Sequence, residues 1–134
     1  MKSVIKILTA VAGGTAGFLF GETDGLLIAL ISFVCLDYIS GVLVGASKRK
    51  LSSQIGYKGL CKKAMILVIV AMAHIIDSQV LGGSKSVFRS AVCCMFISNE
   101  GMSIIENAGK LGLPLPKKLK SFLEQLRDKS DKEE

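Results

Sequence analysis

The side chains with potential chemistry are few, and most of them lie inside apolar segments. Asp37 is the one charged residue in the stretch 25–46, and His74 and Asp77 stand three residues apart near the end of another apolar stretch. Residues at i and i+3 share a helix face, so such a His–Asp pair could relay a proton. Because Asp77 comes shortly before Gly82–Gly83, the end of a helix is the favoured interpretation for it. For His74 a packing or hydrogen-bonding role is favoured.

No set of residues has the spacing of a catalytic or metal centre. The four cysteines include no pair with the C-x₂₋₄-C spacing of a zinc site, and a single histidine cannot complete one. No nucleophile–base pair and no glycine-rich phosphate loop are present. We therefore expect that the protein is not an enzyme and binds neither a cofactor nor a metal.

The apolar residues are gathered into blocks instead of being spread along the chain. Half of the 134 residues are apolar, and each block is near the roughly 20 residues that a helix needs to cross a bilayer. The fourth block is the most polar, since it contains Arg89, Glu100 and Glu106. We predict an all-α polytopic membrane protein with four transmembrane helices, three being the alternative. The predicted spans are about 4–21, 25–46, 64–82 and 87–108.

Charge placement predicts how these helices are oriented. The connection 47–63 has six basic residues and no acidic one, whereas the connection 21–25 has Glu22 and Asp24 and no base. By the positive-inside rule the first connection is cytoplasmic and the second faces outward. Both termini are then cytoplasmic. The net charge of +6 is explained by basic residues beside membrane helices, which meet anionic lipid headgroups. We expect no nucleic acid as a partner.

The predicted domains are a transmembrane domain at 1–109 and a charged cytoplasmic tail at 110–134. After Pro116 the tail can form one short helix, whose apolar side would contain Leu119, Phe122, Leu123 and Leu126. The remaining tail residues are almost balanced in charge and are expected to fray into solvent.

Small residues recur at every fourth position in the first two blocks. This spacing stacks them on one helix face, and small residues allow the close backbone approach by which membrane helices associate. The partner could be a second copy or another helix of the same chain, and both alternatives stay open here. The predicted packing residues are Gly13, Gly17, Gly21, Asp37, Gly41 and Gly45.

The polar residues of the fourth block gather on one side of a helix. A spanning helix of this polarity must line water or pair with polar partners. We expect it to line an aqueous lumen that forms on assembly; a buried polar bundle and a helix lying at the membrane surface are the alternatives. The candidates are Arg89, Glu100, Ser103 and Asn107, flanked by Asn99 and Glu106.

Several short motifs follow one another along the chain with sensible gaps. They are Asp37-Tyr38-x-x-Gly41, Ser52-Ser53-x-x-Gly56-x-x-Gly59-Leu60-x-x-Lys63, Asn99-Glu100-x-x-Ser103-Ile104-Ile105-Glu106-Asn107 and Leu111-Gly112-x-Pro114-x-Pro116. On these motifs the chain resembles the bacteriophage lysis holins, in the family shared with clostridial toxin-secretion holins. The resemblance covers nearly the whole chain.

The resemblance implies a small protein of the bacterial cytoplasmic membrane that forms homo-oligomers and opens a lesion. An endolysin, or in the secretion systems a large toxin, would leave the cell through it as passing cargo. No catalytic residues are implied. Two other functions remain: a small proton-coupled transporter using Asp37, His74 and Asp77, and a regulatory membrane subunit such as an anti-holin. The transporter is disfavoured because inverted repeats with broken helices are absent from the sequence.

The charge asymmetry makes a topology prediction. A membrane-impermeant thiol reagent applied to intact cells should label a Thr23→Cys variant but neither Ser52→Cys nor Ser130→Cys, because only the first site faces outward. External labelling at position 130 would contradict four spans and support three.

Overall fold

The computed structural model describes residues 1–132, and every regular element in that range is helical, which confirms the all-α prediction. The bounds of the helices are α1 Lys2–Phe20, α2 Gly25–Ser47, α3 Ser53–Ile75, α4 Val87–Lys110 and α5 Lys117–Lys132. A single π-helical turn, Ile76–Val80, continues α3.

Local interactions explain where two of the helices begin and end. Asp24 caps α2, because its carboxylate accepts a hydrogen bond from the Leu27 amide at 3.0 Å. Gly21 ends α1 with a φ of 75°, a conformation that glycine adopts without strain. Its missing side chain is also needed for space, since a Cβ there would lie 2.7 Å from Cε1 of His74.

The third helix begins eleven residues before the predicted start of the third apolar block. The sequence analysis treated 47–63 as a basic connection, yet α3 is helical from Ser53, directly after the extended Ser52. Two of the basic side chains in this part of α3, Lys58 and Lys62, are exposed, so they can reach the aqueous side. A third, Lys63, has acidic partners inside the bundle, as described below.

Three helices are long and apolar enough to cross a membrane: α1, α2 and the helix Ser53–Val80. This agrees with the predicted polytopic all-α membrane protein. Helix α4 has the length but not the composition, because its charged residues lower its hydropathy. Whether α4 crosses the membrane therefore depends on how it packs against the other helices.

Helix α4 occupies the centre of the bundle. It packs against α2, α3 and α5, while α1 packs mainly against α3 and its last residue, Phe20, packs against the core. The core is a cluster of buried side chains from α2, α3 and α4, namely Leu27, Leu30, Ile66, Val70, Cys93 and Ile97. Helix α1 buries none of its residues, so its apolar side chains are available to lipid or to another copy.

Helix α5 folds back along α4. Leu123, which is 4% exposed, fills a notch over Gly101, and Leu126 packs against the core cluster. A Cβ at Gly101 would lie 2.9 Å from Cδ1 of Leu123 and 3.2 Å from Cε2 of Phe33. The predicted tail helix is therefore confirmed as a helix, and it is longer than expected and docked on the bundle.

The notch at Gly101 makes a prediction about the docking of α5. A Gly101→Leu substitution overpacks the contact by about 1–3 kcal/mol, which corresponds to about 5- to 150-fold more frequent opening. Trypsin should then remove α5 from the detergent-solubilised protein correspondingly faster.

The matched control is Gly109→Leu on the same helix, where an added Cβ meets nothing within 4 Å. Equal cleavage rates in the two variants would contradict the docked position of α5.

Candidate functional site: an ion triad and an outer clamp

Three charged side chains from three helices meet inside the bundle. Lys63 Nζ of α3 donates to Asp37 Oδ2 of α2 at 2.6 Å and to Glu100 Oε2 of α4 at 2.7 Å. Asp37 lies ten residues before the end of α2, Lys63 ten after the start of α3 and Glu100 ten before the end of α4. At about 1.5 Å per residue, all three stand about 15 Å from the same end of the bundle. We refer to these residues as the triad.

The triad is largely shielded from solvent, with side-chain exposures of 13% for Lys63, 12% for Asp37 and 11% for Glu100. Removing such charges from water is expensive, and only close pairing offsets the cost. Lys63 has a carboxylate on each side, so the triad satisfies all three groups at once. It therefore ties α2, α3 and α4 together at one depth.

A second polar contact joins α4 to α2 nearer the same end. Asn107 Nδ2 donates to Ser40 Oγ at 2.8 Å, and Ser40 Oγ in turn donates to the Asp37 carbonyl at 2.9 Å. The amide of Asn107 also lies 3.4 Å from Asp37 Oδ1. These bonds extend the triad into a network along the α2–α4 contact.

A cavity of about 440 Å³ adjoins the triad and reaches the α2–α3 connection at Lys50 and Leu51. Its walls include four glycines, two from α2 and two from α3, whose missing side chains leave the space open. They are Gly41, Gly45, Gly56 and Gly59. The triad is thus connected to the end of the bundle that carries the basic connection.

At the opposite end, Arg89 clamps the start of α4 to the α1–α2 connection. Its guanidinium donates to Asp24 Oδ2 at 2.9 Å and Oδ1 at 3.1 Å, and to the carbonyls of Phe20 at 2.7 Å and Glu22 at 2.8 Å. The hydrogen bond from Arg89 is the main reason why the pKa of Asp24 is lowered to about 2. This carboxylate therefore stays charged at neutral pH.

Asp77 completes the outer clamp by capping α4. Its two carboxylate oxygens accept from the amides of Phe88 at 3.0 Å and Arg89 at 2.8 Å. An anion at a helix N-terminus satisfies free N–H groups and opposes the positive end of the helix dipole. His74 lies apart, with its ring against Gly21 and its buried Nδ1 without a hydrogen-bond partner in the part of the chain described.

The six residues predicted to line a lumen differ in how far they are buried. Arg89 and Glu100 are buried with the partners given above, and Ser103 and Asn107 are partly buried. Asn99 and Glu106 are exposed on α4. The partners given above are contacts within a single chain. That the six residues line the lumen of an assembly stays a prediction.

The predicted packing residues and the residues of the loop motif also lie in different environments. An added Cβ at Gly13 or Gly17 would meet nothing within 4 Å, so this part of α1 is not packed within the chain. In the loop motif, Ser52 precedes α3 and Ser53 begins it, while the motif's Gly56, Gly59 and Lys63 belong to the cavity and the triad. Sequence reasoning placed Lys63 in a motif but missed its role as the common partner of Asp37 and Glu100.

The bundle and its two sets of ion pairs define a polytopic helical membrane protein whose polar helix is held by apolar ones. Residues 14–128 match the sequence model of the bacteriophage holin family. The chain belongs to this family, as the motifs suggested.

The alignments with its relatives extend over most of both sequences. The chain is 42% identical over 112 residues to an uncharacterized 14.9 kDa protein encoded in the nagH 3′ region of Clostridium perfringens, covering 84% of each chain. It is 40% identical over 134 residues to an uncharacterized protein of Listeria innocua, covering 100% of this chain and 94% of the other. A probable holin of Bacillus phage phi105 is 28% identical over 114 residues, covering 85% and 82%. No solved structure matches the chain.

The triad makes a prediction about stability. Lys63→Met leaves two buried carboxylates facing each other without a cation, a change that costs about 3–5 kcal/mol when one partner of a buried pair is lost. The variant should accumulate in membranes at a strongly reduced level, measured by immunoblotting of the membrane fraction.

Two controls separate charge from size. Lys62→Met, next in sequence and exposed, should accumulate normally. The neutral combination Asp37→Asn, Lys63→Met and Glu100→Gln should recover much of the lost protein, since no unpaired charge remains. Normal accumulation of Lys63→Met alone would contradict the structural role of the triad.

Proposed function

We propose that this protein is a holin that oligomerises in the bacterial cytoplasmic membrane and opens a lesion through which an endolysin or a large toxin leaves the cell. Membership of the holin family supports this proposal, as does the name of the phage relative, a probable holin. Oligomerisation in the membrane is general in the family. A holin acts as a passage, so no catalytic step is assigned to the chain.

The observation that carries the proposal is the way the polar helix α4 is held alongside α2. Arg89 joins its start to the α1–α2 connection, and Asn107 joins its last part to Ser40. Wherever α2 crosses the membrane, α4 then crosses beside it, in spite of its charges. The proposed topology has four spans, with the transmembrane domain at 1–109, the N-terminus on the cytoplasmic side and the tail at 110–134 beginning on that side.

Each polar side chain of this helix needs water or a polar partner within the membrane. Towards α2 and α3 it has partners, chiefly the triad and the outer clamp. Asn99 and Glu106 are exposed, and we assign them to water in the assembled lesion. The remaining candidates, Arg89, Glu100, Ser103 and Asn107, lie behind them and would reach water as the bundle opens.

Contacts between copies are proposed for α1. The Gly13–Gly17 face lies open, and the surrounding side chains are apolar and exposed, among them Val11 at 62% and Phe18 at 57%. Small residues at this spacing allow two helices to approach closely in lipid.

Inducible expression in a bacterial host tests the proposal. After a delay, wild-type protein should arrest growth and admit a membrane-impermeant dye. Asn99→Leu and Glu106→Leu should accumulate normally, because both side chains are exposed, yet delay growth arrest and slow dye entry several-fold.

Thr15→Leu is the matched control, since it makes the same change from polar to apolar on the exposed, apolar α1. Cells that express this variant should stop growing and admit the dye after the same delay as cells with wild-type protein. Wild-type protein that accumulates in the membrane without dye entry would overturn the proposed function.

A further inference from the structure

Helix α5 carries charge into a part of the bundle where lipid contact is expected. Lys117 begins α5 near the end of α4, and Leu123 meets Gly101, nine residues before the end of α4 at Lys110. Nine residues correspond to about 13 Å along the helix. Helix α5 therefore returns antiparallel to α4, close to the level of Glu100 and the triad.

The side of α5 that points directly away from the bundle is polar. With Leu123 and Leu126 turned towards the bundle, a period of 3.6 residues places Ser121, Gln125 and Asp128 on the other side. All three are exposed. Lys117, Lys120 and Lys132 are exposed as well. Leu119 and Phe122, which are 45% and 59% exposed, lie at one edge of this face, between it and the bundle.

Such a surface cannot face hydrocarbon, because ionised side chains inside a membrane turn to water, to protein or to a polar cavity. The lipid-compatible surface of the chain is elsewhere. It includes α1, which buries no residue, and the exposed apolar side chains of α2 and α3, such as Ile39 and Val68. Within residues 1–132, α1 contacts α3, α5 contacts α4, and the two helices do not touch each other. The chain therefore has an apolar flank and a polar flank.

We propose that the outer face of α5, defined by Ser121, Gln125 and Asp128, is the wall of the aqueous lumen in the cytoplasmic half of the lesion. This inference rests on the proposed function. Copies that join through the Gly13–Gly17 face of α1 and turn the rest of their apolar flanks towards lipid place α5 inward, beside the exposed Asn99 and Glu106 of α4. The solutes that meet this wall are hydrated ions and the passing cargo.

Ion selectivity tests the assignment. Purified full-length protein is reconstituted in planar bilayers, and reversal potentials are measured across a gradient of potassium chloride near 0.01 M, where the Debye length is about 30 Å. Gln125→Glu should raise the potassium-to-chloride permeability ratio and Gln125→Lys should lower it, by about twofold or more in each direction. Asp128→Lys should shift the ratio in the same direction as Gln125→Lys.

The chain offers a matched control in Gln54, an exposed glutamine in the first turn of α3, away from α5. Gln54→Glu and Gln54→Lys carry the same charge changes and should shift the ratio much less, because position 54 lies outside the proposed wall. If the lesions conduct but their ion selectivity does not change with the charge at positions 125 and 128, the assignment of α5 as the wall is contradicted and the proposed function is not. Shifts of equal size at position 54 would also overturn it, since the charge would then act from outside the lumen. If wild-type protein gave no conductance, the proposed function itself would be contradicted.

Discussion

The ion triad is the interaction on which the rest of the structure depends. Lys63 binds Asp37 at 2.6 Å and Glu100 at 2.7 Å, and these partners lie 26 and 37 residues away from it along the chain. A single cation therefore joins three helices. None of these charges is tolerable alone at such a depth, because the cost of desolvation is offset only by close pairing. Together they allow α4, which is less apolar than the helices that could cross a membrane by composition alone, to pack against the apolar α2 and α3.

Two further features follow from a helix held in this way. At the outer end, Arg89 and Asp77 connect the start of α4 to the α1–α2 connection and to the π-helical turn after α3. Next to the triad residue Glu100, Gly101 leaves a notch for Leu123, and the charged helix α5 covers α4 there. The bundle thus combines an apolar flank at α1 with a polar flank at α4 and α5. The proposed holin function, in which the protein first resides in lipid and later borders water, needs both kinds of surface.

Much of the helical framework could be predicted from the sequence. The apolar blocks 25–46 and 87–108 lie within one or two residues of α2 and α4, because block length and composition decide where membrane helices form. The start of α3 was predicted wrongly. Hydropathy assigns Lys58, Lys62 and Lys63 to a connection, whereas the helix begins at Ser53 and Lys63 has acidic partners in the bundle.

The candidate site was less predictable, for a physical reason. The polar row on α4 follows from helical periodicity, but its partners depend on the relative positions of α2, α3 and α4, which a single sequence does not specify. Asp37 was predicted as a helix-packing residue without its cation, and Asp77 as the end of one helix and not as the cap of the next. Gly41 and Gly45 were expected to pack helices together, a role that stays a prediction, and they border the cavity beside the triad.

The central claim is that α4 crosses the membrane parallel to α2, held there by the triad. Solid-state NMR of the protein in oriented bilayers tests it directly, and the composition of the chain favours the experiment. Both asparagines, Asn99 and Asn107, lie in α4, and the two tyrosines, Tyr38 and Tyr57, lie in α2 and α3. Backbone ¹⁵N labelling with asparagine therefore reports α4 alone, and labelling with tyrosine supplies the transmembrane reference. We predict that both labels give N–H bonds aligned with the bilayer normal. Asparagine signals typical of a helix lying in the membrane plane, beside transmembrane tyrosine signals, would contradict the account.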